Sequence, residues 1–190
     1  MSWTIPNLLT LLRVGLIPVL VLMYYLPISG IYVAGVFLLA GLTDLLDGYL
    51  ARTLAQTSRF GEFLDPVADK LMVAVVLVLL VSDDILVSEL FSSQLFTVVT
   101  AIVVGREIAV SALREWMAEL GNRGVVAVGF VGKIKITSQI IAFALLLMGP
   151  EVDIFPVLIC GELLFYVAGG LTLWSMVVYL RAAWPDLRGR

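Results

Sequence analysis

Four aspartates are the residues of this chain that are best suited to chemistry. They form two pairs, Asp44 with Asp47 and Asp65 with Asp69. Residues three or four apart lie on one helix face, about 5 to 6 Å from each other. An acidic side chain at a membrane helix centre costs roughly 2.5 to 3.5 kcal/mol on insertion scales, so a cluster between apolar stretches indicates function. We predict that each pair grips a divalent cation, in the two-metal arrangement used for displacement at phosphorus.

The residue types that the chain lacks limit which metal it could bind and which group could act as the general base. The chain has no histidine and a single cysteine, Cys160, so neither imidazole ligation nor an intrachain disulfide is possible. A site built from oxygen ligands favours Mg²⁺ or Mn²⁺ over zinc. The general base must then be a carboxylate.

Each aspartate taken singly also has a simpler explanation. Asp65 precedes Pro66 and could cap a helix, while Asp44 and Asp47 could be ordinary polar residues near a membrane surface. The complete pattern favours a ligand site, because paired carboxylates flank a short polar break together with glycines and an arginine. Arg52 offers bidentate donors to a phosphate.

Composition identifies the setting as a membrane. Hydrophobic residues make up 61% of the chain and charged residues only 14%, and the mean hydropathy is +1.07. These values predict one all-α integral membrane domain, residues 1–190, in which six transmembrane helices surround a cytoplasmic-facing polar cavity. Polar residues near the start predict that a short interfacial segment opens the first helix. The six apolar stretches are 5–26, 31–51, 63–82, 94–113, 125–148 and 154–181.

The basic residues predict the orientation. All 12 lysines and arginines fall at one set of helix ends, and the loops at the opposite ends contain acidic residues but no basic ones. By the positive-inside rule, the basic side is cytoplasmic. We therefore predict a multi-pass protein of the inner, cytoplasmic membrane whose termini and aspartates face the cytoplasm, with no nucleic-acid partner.

The aspartate segment resembles the signature of the CDP-alcohol phosphotransferases, membrane enzymes that pass a phosphatidyl or related group from a CDP-activated donor to an alcohol. All eight signature positions match, and the similarity extends over nearly the whole chain, including its opening residues. Three later stretches, 105–108, 112–114 and 132–139, resemble the branch whose acceptor is glycerol 3-phosphate. The signature reads Asp44-x2-Asp47-Gly48-x2-Ala51-Arg52-x8-Gly61-x3-Asp65-x3-Asp69.

The resemblance implies a six-helix homodimer that uses Mg²⁺ or Mn²⁺, with two ions per site. It would convert CDP-diacylglycerol and glycerol 3-phosphate to phosphatidylglycerophosphate and CMP. Asp44, Asp47 and Asp65 would be metal ligands, and Asp69 a ligand or the catalytic base. The CDP site would be lined by Gly48, Ala51, Arg52 and Gly61.

Basic residues later in the chain suggest where an anionic acceptor binds. We predict that four of them converge beside the aspartates and clamp the acceptor phosphate; they are Arg106, Arg114, Lys133 and Lys135. For Arg114 and Lys133, anchoring of helix ends explains the charge equally well. On the first helix, a polar face of Asn7, Thr10 and Arg13 could reach the donor phosphates, although polar residues at an exposed helix surface would equally explain Asn7 and Thr10.

Two groups of alternatives stay open from the sequence. The same family chemistry could use another acceptor, such as phosphatidylglycerol to give cardiolipin, inositol phosphate, or serine. A cation transporter also places carboxylates within the membrane. The acids here lie at one end of the helices, and no inverted repeat is apparent, so the sequence favours the enzyme.

Overall fold

The computed structural model describes residues 5–53, 59–120, 130–149 and 156–188. These residues form seven α-helices and no strand, which confirms the predicted all-α fold. Six of the helices are long and correspond one by one to the predicted apolar stretches. The helices are α1 (Ile5–Tyr25), α2 (Gly30–Thr53), α3 (Arg59–Ser82), α4 (Asp84–Glu89), α5 (Ser93–Glu119), α6 (Phe130–Met148) and α7 (Val157–Leu187).

Three of the described helices are long and apolar enough to cross a membrane. They contain the stretches Asn7–Tyr25, Ser93–Glu119 and Val157–Pro185, while α2 and α6 contribute shorter apolar stretches, Gly30–Asp44 and Ile134–Met148. The apolar stretch of α2 stops where the aspartates begin. In α3, Glu62, Asp65, Asp69 and Lys70 occupy the first half of the helix. The charged residues that suggest a site are therefore also what interrupts the apolar pattern.

The structure differs from the sequence-based boundaries in three places. A short helix that the hydropathy did not predict, α4, begins where the Asp83 side chain accepts a hydrogen bond from the Leu86 N–H at 3.0 Å. The helices α5 and α7 continue past residues 113 and 181, the predicted ends of their apolar stretches. Helix α1 runs without a break from Ile5, so the described residues show no boundary between an interfacial segment and the first span.

The core is formed by aromatic and aliphatic side chains from most of the helices. Phe143 of α6 lies 6.0 Å from both Phe37 of α2 and Phe165 of α7, measured between ring centroids. Phe165 in turn packs 4.8 Å from Phe96 of α5. All four phenylalanines are at most 5% exposed. This row of rings fixes α2, α5, α6 and α7 relative to one another.

A buried carboxylate fastens the loop between α4 and α5 to α7. Glu162 is 5% exposed, and both of its carboxylate oxygens accept from the Phe91 N–H at 3.1 Å. The Tyr166 hydroxyl donates to the same carboxylate at 2.6 Å. A buried acid with these donors has a structural role. It therefore does not support a path for cations through the bundle.

A close backbone contact makes the start of α2 sensitive to substitution. A Cβ atom on Gly30 would lie 2.4 Å from the Met148 carbonyl oxygen and 2.5 Å from that of Leu147. Since backbone atoms cannot rotate away, we expect Gly30→Ala to lower the free energy of unfolding by about 1 to 3 kcal/mol.

Thermal unfolding of the purified protein in detergent measures this effect. Gly35→Ala in the same helix is the matched control, because a Cβ atom there meets nothing within 4 Å and alanine favours a helix over glycine. Equal melting temperatures for wild type and Gly30→Ala would contradict the packing of α2 on the end of α6.

Candidate active site

Helix α1 holds carboxylates from α2 and α3 through one of its faces. Thr10 and Arg13 are almost fully buried, at 1% and 2% exposure. The Thr10 hydroxyl donates to Asp65 Oδ1 at 2.6 Å. The Arg13 Nη1 atom lies 2.5 Å from Asp44 Oδ1. Because Thr10 and Arg13 are neighbours on one turn, they bring Asp44 and Asp65 to the same side of α1.

These contacts orient the carboxylates without enclosing them. The Asp44 side chain is 44% exposed although its partner Arg13 is buried. A ligand can therefore reach Asp44 while the salt bridge is intact. The predicted role of Asn7, Thr10 and Arg13 in reaching donor phosphates stays a prediction beside the observed contacts of Thr10 and Arg13.

Asp69 connects the aspartates to a second charged region. It lies one turn beyond Asp65 on α3, and its side chain is exposed. Charges from four other helices act on it: Asp44, Glu107, Arg13 and Lys135. The electrostatic influence on Asp69 therefore comes both from a carboxylate of α2 and from charged residues of α5 and α6.

The second region is a basic cluster in which α5, α6 and α7 meet. Arg106 and Lys135 are 6% and 4% exposed. Glu107 Oε1 accepts from Lys135 Nζ at 2.5 Å and from Arg106 Nη1 at 3.1 Å. The Arg106 Nη2 atom donates to the Ser175 hydroxyl at 2.8 Å. Two buried cations thus share one carboxylate oxygen.

An aromatic ring extends the basic cluster to a third cation. The guanidinium carbons of Arg106 and Arg114 each lie 5.5 Å from the centroid of the Tyr179 ring. Both arginines therefore make cation–π contacts with Tyr179. Arg114 itself is exposed, so its charge stays available to a ligand.

The sequence missed three members of this cluster. Glu107, Ser175 and Tyr179 contact Arg106, but none was predicted as a site residue. The available signal was spacing, since Ser175 and Tyr179 are four residues apart and therefore lie on one face of α7. This spacing points to contacts with Arg106 only once α5 is known to pack against α7.

Comparison with known proteins identifies the family. The family model described as CDP-alcohol phosphatidyltransferase matches residues 3–180. The chain belongs to this family. The match includes the aspartates, α1 and the basic cluster.

Curated relatives are similar over almost their whole length. A protein of Pseudomonas fluorescens is 52% identical over 188 residues, which cover 97% of this chain and 92% of the relative. Proteins of Shigella flexneri serotype 5b (strain 8401) and Escherichia coli (strain K12) are each 50% identical over 189 residues, with 98% of both chains covered. All three are named CDP-diacylglycerol–glycerol-3-phosphate 3-phosphatidyltransferase.

Part of the family signature lies outside the described side chains. These signature residues are Asp47, Gly48, Ala51 and Arg52 at the end of α2, whose backbones are helical. The side chain of Lys133 on α6, a predicted acceptor-phosphate residue, also lies outside the described side chains. Gly61 is described and buried on α3. Among the described residues, no three acidic or cysteine side chains are close enough to hold one metal ion. The Asp47 side chain lies outside these described residues, so the predicted quartet stays a prediction.

A cleft between α3 and α5 reaches the basic cluster. Its volume is about 270 Å³ and its surface is almost wholly apolar, although Lys70 and Glu107 are among the lining residues. The Glu107 side chain is 23% exposed, unlike Arg106 and Lys135. Glu107 is therefore more accessible to a small molecule than the two cations that it contacts.

Proposed function

We propose that this chain transfers the phosphatidyl group of CDP-diacylglycerol to glycerol 3-phosphate, giving phosphatidylglycerophosphate and CMP. The names of relatives about 50% identical over 98% of the chain support this activity. The structural observation that carries the proposal is the electrostatic environment of Asp69, on which a carboxylate, Asp44, and a buried cation, Lys135, both act. That arrangement suits an activated diphosphate donor and an anionic acceptor.

The charge of the basic cluster favours a phosphorylated acceptor. The cluster carries three positive charges, on Arg106, Arg114 and Lys135, against the negative charges of Glu107, which contacts two of them, and Asp69, which acts on Lys135. Burying an uncompensated cation is costly unless a ligand pairs with it. A phosphate group supplies the missing charge, and the planar guanidinium can bind it through two hydrogen bonds. An uncharged alcohol does not supply this charge.

We also propose that Asp44, Asp47, Asp65 and Asp69 bind Mg²⁺ or Mn²⁺, with two ions per site. The donor set fits these metals, because it consists of carboxylates in a chain without histidine. Bound metal would supply charge neutralisation of the diphosphate and of the departing CMP. Thr10 and Arg13 would orient Asp65 and Asp44, as partners of metal ligands commonly do.

The transfer step follows from the positions of the chain's own groups. Arg106 and Lys135 would hold the acceptor phosphate so that the reacting hydroxyl lies beside Asp69. Asp69 accepts the hydroxyl proton while the alcohol oxygen forms a bond to the phosphorus that bears diacylglycerol. The bond from that phosphorus to the CMP oxygen breaks, and CMP leaves. Positioning makes the larger contribution, because an aspartate is a weak base for an alcohol.

The proposal also covers the location, orientation and oligomeric state of the protein. We propose that the protein lies in the inner membrane with both termini and the active site facing the cytoplasm, because its basic residues fall at those helix ends. Glycerol 3-phosphate and CMP are water-soluble and would exchange from that side. We further propose a homodimer, as the family resemblance implies.

An acceptor panel tests the proposed activity. The purified protein, in detergent micelles containing CDP-diacylglycerol and Mg²⁺, would receive glycerol 3-phosphate, phosphatidylglycerol, inositol phosphate or serine. We expect rapid CMP release and phosphatidylglycerophosphate formation with glycerol 3-phosphate alone. Faster reaction with another acceptor would assign a different activity within the family, and no acceptor-dependent CMP release would refute the enzyme proposal.

A further inference from the structure

We propose that Glu107 binds the middle hydroxyl group of the acceptor and thereby selects glycerol phosphate over phosphorylated alcohols that lack this group. The inference rests on the proposed function and adds a substrate-binding role for a residue that the sequence did not single out.

Glu107 contacts the proposed phosphate ligands, and its charge acts on the proposed base. Lys135 and Arg106 both contact Glu107 Oε1, at 2.5 and 3.1 Å. The Glu107 charge also acts on Asp69, as does that of Lys135. Glycerol 3-phosphate carries a phosphate, a secondary hydroxyl and the reacting hydroxyl on successive carbons. If the phosphate binds at the cations and the reacting hydroxyl at Asp69, the secondary hydroxyl between them would bind at Glu107, which contacts both cations.

Glu107 also has the capacity to accept another hydrogen bond. An ionised carboxylate has about four acceptor positions, and the contacts of Glu107 within the described part of the chain all involve Oε1. Its side chain is 23% exposed and lines the cleft between α3 and α5. The exposed part of the side chain and its unused acceptor positions are what a substrate hydroxyl would need in order to bind here while Lys135 and Arg106 keep their contacts.

A carboxylate beside a phosphate site is unfavourable unless it has a further task. Glu107 repels the anion that Arg106 and Lys135 attract, because like charges in a confined site oppose each other. Holding the two cations in place is one possible task. Accepting a hydrogen bond from the substrate is a second, and the two tasks differ in their effect on substrate choice.

Two acceptors separate these tasks. Glycerol 3-phosphate and 3-hydroxypropyl phosphate share the phosphate and the reacting hydroxyl, but only the first has the middle hydroxyl. We expect the wild-type protein to prefer glycerol 3-phosphate by roughly 10- to 100-fold in kcat/KM, since a site that hydrogen-bonds a hydroxyl discriminates against its absence. Glu107→Gln should reduce this ratio at least threefold, because a neutral amide oxygen is the weaker acceptor.

The ratio of kcat/KM values for the two acceptors also defines the control and the results that would contradict the proposal. Glu115→Gln changes an exposed acid of the same helix and should leave the ratio unchanged. If Glu107→Gln slowed both acceptors equally, or if the wild type did not distinguish them, the proposal would be overturned. Should Glu107→Gln not fold or not turn over, Glu107→Asp replaces it, and its ratio must fall as well. Failure of the wild type to use glycerol 3-phosphate would instead refute the proposed function.

Discussion

Asp69→Asn should lower kcat about 100- to 10,000-fold, the range that a positioned general base contributes. Asparagine has nearly the same shape as aspartate, but it cannot accept the proton of the acceptor hydroxyl at neutral pH. Binding of CDP-diacylglycerol should persist, because Asp44 and Asp65 keep their contacts with α1. Turnover is measured as CMP release, and donor binding by titration calorimetry in matched micelles.

Asp84→Asn is a suitable control for this substitution. Asp84 is an exposed aspartate at the start of α4, in the loop region that lacks basic residues, and we expect its replacement to leave kcat unchanged. Undiminished product formation by Asp69→Asn would remove Asp69 from the role of base. Loss of donor binding together with turnover would assign Asp69 to the donor site.

Arg106→Ala should raise the KM for glycerol 3-phosphate by roughly 30- to 3,000-fold, which corresponds to about 2 to 5 kcal/mol for truncating one partner of a buried charge pair. Arg106 is 6% exposed and contacts Glu107, Ser175 and Tyr179. Its loss removes a phosphate ligand and disturbs the position of Glu107. The KM for CDP-diacylglycerol should change little, because the aspartates lie on other helices.

Two further variants make the result specific. Arg106→Lys keeps the charge but loses the planar guanidinium, so its KM should lie between those of the wild type and Arg106→Ala. Arg181→Ala removes an exposed arginine of α7 and should behave as the wild type does. Thermal unfolding of each variant shows whether a raised KM comes from the loss of a phosphate-binding side chain or from destabilisation of the fold. If Arg106→Ala raised the KM for glycerol 3-phosphate no more than Arg181→Ala does, the prediction that Arg106 binds the acceptor phosphate would be wrong.

The helices were largely predictable because hydropathy follows local sequence. The six long helices appear where apolar stretches of about 20 residues were expected. The ends were less predictable, since a helix stops for reasons other than hydropathy. Arg114 and Glu115 continue α5 although they end its apolar pattern, and α4 depends on a local cap by Asp83. These features depend on hydrogen bonds that composition does not record.

The site was predictable only within single helices. Helical spacing placed Asp65 and Asp69 one turn apart, but it did not indicate that Thr10 would contact Asp65 or that Arg13 would contact Asp44. Those contacts join residues far apart in the sequence, and they depend on how α1 packs against α2 and α3. The same limit applies to Tyr179, whose contacts with two arginines require α7 to lie against α5.

The most direct test of the account is removal and return of divalent metal. The purified protein would be treated with a chelator, dialysed and assayed for phosphatidylglycerophosphate formation while Mg²⁺ or Mn²⁺ is titrated back. We predict that activity disappears without metal and returns with either ion, and that Mn²⁺ binding measured by electron paramagnetic resonance weakens when Asp44 or Asp65 is changed to asparagine. Full activity in the metal-free protein would contradict a cation site formed by these four aspartates.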